Sequence, residues 1–184
     1  ILIMSFKTTA LSTALFMSLS ALSLNAMAAP SAEVTLQGIL TNTTCDVTIN
    51  GGKSVLNVGV LKTSVGENDS DFAAVNAMSS TTVDMPVTLT GCTKEEEGNL
   101  IIQGITSVGN NQQDIFVATD SQTVGFMIED EAGKRITNGS GTKVEIGAGE
   151  TAAQYTFKVG MATTTDSPKA NSYSAPILVA YIVN

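Results

Sequence analysis

The chain has 184 residues, is 43% apolar and 14% charged, and contains no His and no Trp. This is the composition of a folded chain of single-domain size and excludes an intrinsically disordered one. Nine Lys plus Arg against seventeen Asp plus Glu give a net charge of -8, which repels phosphate backbones and argues against nucleic acid as a partner; without imidazole, His general bases, His triads and most zinc ligand sets are excluded too.

Taken in chain order, Met4 to Ala28 comes first, with a basic point at Lys7, a Leu/Ala/Ser-rich stretch around Leu15-Phe16-Met17 and a closing Ala26-Met27-Ala28. It reads as a secretory signal peptide, residues 1–28, removed by cleavage after Ala28. A membrane anchor is the alternative, but Ser and Thr interrupt the stretch, it is short, and no basic stop follows. Next, Val34, Leu36, Gly38 and Leu40 alternate with Thr35, Gln37 and Ile39, an apolar strand on the new N-terminus. From periodicity alone it is a first strand paired in its own sheet.

Cys45 and Cys92 are the only cysteines. Export places them where thiols oxidise, so one disulfide is expected, with two free reactive thiols as the alternative. Between and beyond them the apolar spacing is that of strands. Val83, Met85, Val87 and Leu89 alternate with Asp84, Pro86, Thr88 and Thr90, and this strand delivers Cys92. Pro86 cannot donate to a ladder, which puts that strand, or that side of it, at an edge or bulge. Tyr155, Phe157, Val159 and Met161 repeat the pattern, and further strands are expected at Asp46 to Ile49, Val55 to Leu61, Leu100 to Ile105, Ile115 to Ala118 and Val124 to Glu129. Glu131 to Lys134 reads as a turn, and Asp71 as the cap of a short helix through Phe72, Val75 and Met78 or Ser79. Ile177 to Val183 is apolar on both parities and should be covered on both faces. Seven to nine short strands with regular turn signals favour an antiparallel β-sandwich of immunoglobulin-like type in one domain.

Candidate chemical motifs fail on context. Gly147-Ala148-Gly149-Glu150-Thr151-Ala152 has the form of a dinucleotide loop, but a strand pattern follows where a helix is required, so a hairpin turn is the better reading. Glu67, Asp69 and Asp71 are spaced like calcium ligands yet lack the glycine and distal Glu of an EF-hand. Glu95-Glu96-Glu97 reads as an exposed turn. Ser140, between Gly139 and Gly141, has no His to activate it. Asn42, Asn68 and Asn138 begin glycosylation sequons and otherwise read as turn residues. No catalytic residue, metal site or cofactor is expected.

Three features together resemble the structural pilins of bacterial chaperone-usher fimbriae: Val34-Thr35-Leu36-Gln37-Gly38-Ile39-Leu40 ahead of Cys45, the alternating strand that ends at Cys92, and the apolar Ala180-Tyr181-Ile182-Val183-Asn184. Tyr181 stands three residues before Asn184, where many members of that family have it next to last. The resemblance implies an all-β, immunoglobulin-like antiparallel sandwich that is incomplete and is completed by a donor strand from a neighbouring subunit. It implies a donor-strand extension over residues 29–41, with Val34, Leu36 and Leu40 as knobs and Gly38 at the close approach, followed by a pilin domain over residues 42–184. It makes Ile177, Val179, Tyr181 and Val183 a wall of the acceptor groove and the chaperone contact. The partners implied are other copies of the chain, a periplasmic chaperone, an outer-membrane usher, and a tip adhesin and host receptor at the cell surface. A shaft subunit fits better than a tip adhesin, since cleavage after Ala28 leaves no room for an additional receptor-binding domain. A fibre subunit that itself binds a host receptor, and a monomeric secreted ligand-binding sandwich, are the competing readings.

Overall fold

In a computed structural model, which describes residues 38–183, the apolar alternation of the sequence becomes eight strands. They are β1 (Asp46–Ile49), β2 (Met78–Thr90), β3 (Glu96–Thr106), β4 (Phe116–Val117), β5 (Val124–Glu129), β6 (Gly141–Ile146), β7 (Ala152–Thr163) and β8 (Ile177–Val183). The expected signal peptide, Val34 and Leu36 lie outside the described residues. The strands pair antiparallel in the order β1-β2-β7-β5-β4-β3-β6, with β8 on β3. One layer is thus β1, β2, β7 and β5, the other β6, β3 and β8, and the two-residue β4 joins them at a corner. Each layer turns alternate side chains inward: Met85, Val87 and Leu89 from β2, Phe157 and Val159 from β7, Leu100 and Ile102 from β3, Val179 and Tyr181 from β8 share one core. This is the expected immunoglobulin-like sandwich.

The Cys45–Cys92 disulfide forms and ties the start of β1 to the end of β2. Pro86 lies one residue beyond the last β1 pair, Ile49 with Val87, so no β1 ladder bond is asked of it. Gly98 in β3 must be glycine: a Cβ there would lie 2.4 Å from the Ile182 carbonyl oxygen and 2.9 Å from the Tyr181 ring. That absence of a side chain lets the fully buried Tyr181 lie flat against β3. The expected turn at Glu131 to Lys134 forms around the buried Asp130, whose Oδ1 accepts the Ala132 and Lys134 amides at 3.0 and 2.8 Å. Gly147 to Glu150 forms a turn, with the Glu150 amide donating to the Gly147 carbonyl, but β6 and β7 do not pair, so it crosses between the layers and is not the expected hairpin.

Five further expectations need correction. Val55 to Leu61 forms no strand; it is apolar on both parities, Gly59 sits at φ 113°, and among the described residues no strand pairs with it. The helix from Asp71 does not form. Asp71 instead accepts the Lys62 amide at 2.7 Å, Phe72 bridges Val65, and Met78 already begins β2. Glu95-Glu96-Glu97 is not an exposed turn, because Glu96 is buried and opens β3, while Glu97 pairs with Lys143 across the sheet at 2.9 Å. β6 was not anticipated, since only Val144 and Ile146 carry its apolar face. Finally, β8 is covered on one face only: Val179 and Tyr181 are buried, whereas Leu178 is 45% exposed.

Candidate assembly groove

The site follows from which strand edges are left open. A strand inside a sheet has neighbours on both edges, and an edge strand leaves a row of N–H and C=O groups unpaired. Among the described residues β8 pairs with β3 alone and β1 with β2 alone. β1 and β8 lie near one another without pairing, whereas β6, which among these residues pairs with β3 alone, is a third edge strand. The Val183 amide points away from β3, because it donates to Thr41 Oγ1 at 3.4 Å. Backbone groups alternate along a strand, so those of Ile177, Val179 and Tyr181 face the same open side.

Behind that open edge the core is not closed. At the Ile177 end of β8 a cavity of about 730 Å³ reaches Met85, Phe116, Phe126, Ile128 and Val159, residues from four different strands. Ile49, at the end of β1, and the segment Lys53 to Val58 border it on the opposite side. A second cavity of about 510 Å³ continues past Val58 to Phe72, Val124 and Met161. Val58 is buried between the two while Val55 and Val60 stand exposed. The result is an apolar trough at one end of β8, bordered by Ile177, by Ile49 and the unpaired segment after β1, and by residues 173–176, with core side chains as its floor. Such a trough suits an extended, apolar, alternating peptide better than a polar substrate.

The predicted wall residues sit on β8 in two roles. Ile177 borders the larger cavity, while Val179 and Tyr181 anchor the strand in the core and Val183 is half-buried at its far end. Tyr181 donates its hydroxyl to the Val144 carbonyl at 2.9 Å. Burial, reinforced by the charges of Glu96, Glu97 and Glu145, raises its phenol above the usual value near 10. Of the predicted donor residues within the described part, Gly38 is exposed with open space around it, and Leu40 is 96% exposed and belongs to no strand. A fully exposed leucine beside the fold is an apolar side chain without a socket in its own domain.

Sequence reasoning missed the fastening of this segment. The buried Glu96 carboxylate accepts the Thr43 hydroxyl through Oε1 and the Thr44 amide through Oε2 at 3.3 Å, with Oε1 also 3.0 Å from Cys45 Sγ. Thr43 Oγ1 takes the Cys45 amide at 3.0 Å, and Thr44 Oγ1 takes the Thr93 amide at 3.0 Å. The only signal for it was a run of threonines before Cys45 and a carboxylate at the head of a strand. The cluster of Cys45, Cys92 and Glu96 brings three residues of metal-ligating type together, but both sulfurs are in the disulfide, so it offers one carboxylate and no thiolate.

No protein-family profile matches the chain, and no curated protein matches its sequence. Solved structures do match by fold. The P pilus rod subunit PapA superposes with a TM-score of 0.57 at 13% identity, over 77% of this chain and 100% of that one. A subunit in a structure of a chaperone-usher pilus, solved to explain rod uncoiling, superposes with a TM-score of 0.55 at 12% identity, over 84% of this chain and 96% of that one. At such identities the likeness is one of fold: this chain has the sandwich of chaperone-usher pilus subunits.

Proposed function

We propose that this chain is a structural subunit of the shaft of a surface fimbria, exported through the periplasm and assembled by donor-strand exchange through a chaperone and an outer-membrane usher. The observation that supports the proposal is the unpaired edge of β8, with an apolar cavity at its Ile177 end. The donor is the segment 29–41 of a second copy, with Val34, Leu36 and Leu40 filling the trough and Gly38 allowing backbone contact. Burying three aliphatic side chains is worth roughly 5–9 kcal/mol as an upper figure. That is comparable to the whole stability of an ordinary domain, so the subunit depends on an added strand and a chaperone is needed until one arrives. Each copy offers its extension to one neighbour and its trough to another. This heterologous contact does not close on itself and yields a filament. The chemistry is strand addition, not catalysis.

The test uses the purified complex of the chain with its chaperone. A synthetic peptide spanning Ala29 to Thr41 should displace the chaperone and raise the unfolding free energy of the released subunit, by about 2.7 kcal/mol at a hundredfold excess over its dissociation constant. A chain that is stable alone and indifferent to the peptide would be a monomeric sandwich, and the proposal would fall.

A further inference from the structure

The open edge of β8 has the larger cavity at its Ile177 end and the chain's own Thr41 at its Val183 end. There the Thr41 hydroxyl oxygen accepts the Val183 amide at 3.4 Å, on the open side of β8. Thr41 Oγ1 also accepts the Thr43 amide at 3.3 Å. Two residues on, Thr43 and Thr44 are pinned by the buried Glu96 carboxylate, and Thr44 is further tied to Thr93. Glu96 is itself rigid, being the first residue of β3 and paired with Ile146. A flexible tail touching β8 would be swept aside by an arriving strand; a tail fastened by a buried carboxylate is an obstacle.

Building on the donor-strand reading above, we infer that Thr41, held in place by the Glu96 clamp, is a stop on the open edge of β8 that limits the register of the strand a second copy inserts. Register needs such a device. The side-chain period of a strand is two, so a two-residue slip keeps every knob on the apolar side and merely moves it to the next socket. Alternation alone cannot forbid that slip. A stop at Val183 leaves the incoming strand the backbone groups of Ile177, Val179 and Tyr181 and denies it the next pair, which excludes the registers that run further towards Val183. Glu96 acts through Thr43 and Thr44 and is a positioning residue; Thr41 is the contact.

The experiment is carried out on the chaperone complex of the full chain, using the Ala29 to Thr41 peptide with a photoreactive benzoylphenylalanine in place of Leu36. Cross-linked residues are mapped by mass spectrometry. For the unaltered chain a single cluster of labelled positions is expected. For Thr41→Ala and separately for Glu96→Gln, a second cluster two residues further towards Val183 should rise about tenfold, the population change that loss of one competing hydrogen bond brings. Thr41 is a surface residue, so Thr41→Ala retains the fold even if the Glu96 change weakens it. A single unchanged cluster in both variants would overturn the stop while leaving donor-strand exchange intact. Failure of the unaltered complex to take up the peptide at all would overturn the donor-strand reading, and the stop with it.

Discussion

Replacing Gly98 by Ala probes the contact on which the β8 wall depends. The added methyl carbon would sit 2.4 Å from the Ile182 carbonyl oxygen and 2.9 Å from two ring carbons of Tyr181. Neither neighbour yields easily: one is backbone in the β3 to β8 ladder, and the other belongs to a ring with 0% exposure, hydrogen-bonded to Val144. Relief requires β8 to move outward by more than half an ångström, loosening ladder bonds and lifting Tyr181 from its seat. Overpacking of this kind costs typically 1–3 kcal/mol. With a urea dependence of about 1.5 kcal/mol per molar for a domain of this size, a loss of about 2 kcal/mol lowers the midpoint by about 1 M. Far-UV circular dichroism during urea unfolding of the chaperone-free, peptide-completed subunit reads it. Gly38→Ala is the control, since no atom lies within 4 Å of the new carbon and the midpoint should not move. Equal midpoints for Gly98→Ala and the parent chain would refute the close packing of β8 on β3.

Three further outcomes are expected. Cys92→Ser removes a bridge across 47 residues, which on chain-entropy grounds is worth about 4 kcal/mol; little subunit should accumulate in the periplasm, and non-reducing mass spectrometry of the parent chain should find no free thiol. Tyr181→Phe leaves the Val144 carbonyl without its hydroxyl donor and should cost about 1–3 kcal/mol. The same variant carries a pH signature. The folded-state phenol titrates above the unfolded one, so its contribution is full below about pH 10 and is lost as pH rises through the raised value; stability should therefore fall less steeply in alkali for Tyr181→Phe than for the parent. Val179→Asp puts a carboxylate into a buried position of β8, a cost of several kcal/mol, and chaperone co-purification should drop sharply; undiminished recovery would mean β8 is not the chaperone contact.

How far the sequence reached depended on where the physics was local. Alternation of apolar and polar residues located β1 to the residue and the bodies of β2 and β7, because inward and outward faces of a half-buried strand differ in composition, and short apolar runs located β5 and β8 to the residue. β6 escaped because Thr142, Lys143 and Glu145 outnumber its two inward residues. Val55 to Leu61 misled for the opposite reason: its apolar residues do meet the core at Val58 and line the trough, yet pairing needs a neighbour that the described chain does not supply. Strand propensity states what a segment can do, and only tertiary context states whether a partner is present. The Glu96 clamp was illegible for a related reason. Its partners Thr43 and Thr44 lie more than fifty residues away in sequence, and a run of three acids looks solvated until one is seen to turn inward. The trough floor was legible as core, but nothing in the periodicity says which side of a core stays open.

The central claim is that the segment Ala29 to Leu40 serves a neighbour and not its own domain. Deleting Ala29 to Leu40 retains Thr41, Glu96 and every described strand, so the truncated chain should still be recovered with its chaperone in parental yield. Negative-stain electron microscopy of cells expressing this chain with its chaperone and usher should then show fibres for the parent and none for the deletion. Fibres of normal number and length after the deletion would contradict donor-strand exchange by this segment, and loss of the chaperone complex together with the fibres would mean the segment is an ordinary first strand of its own sheet.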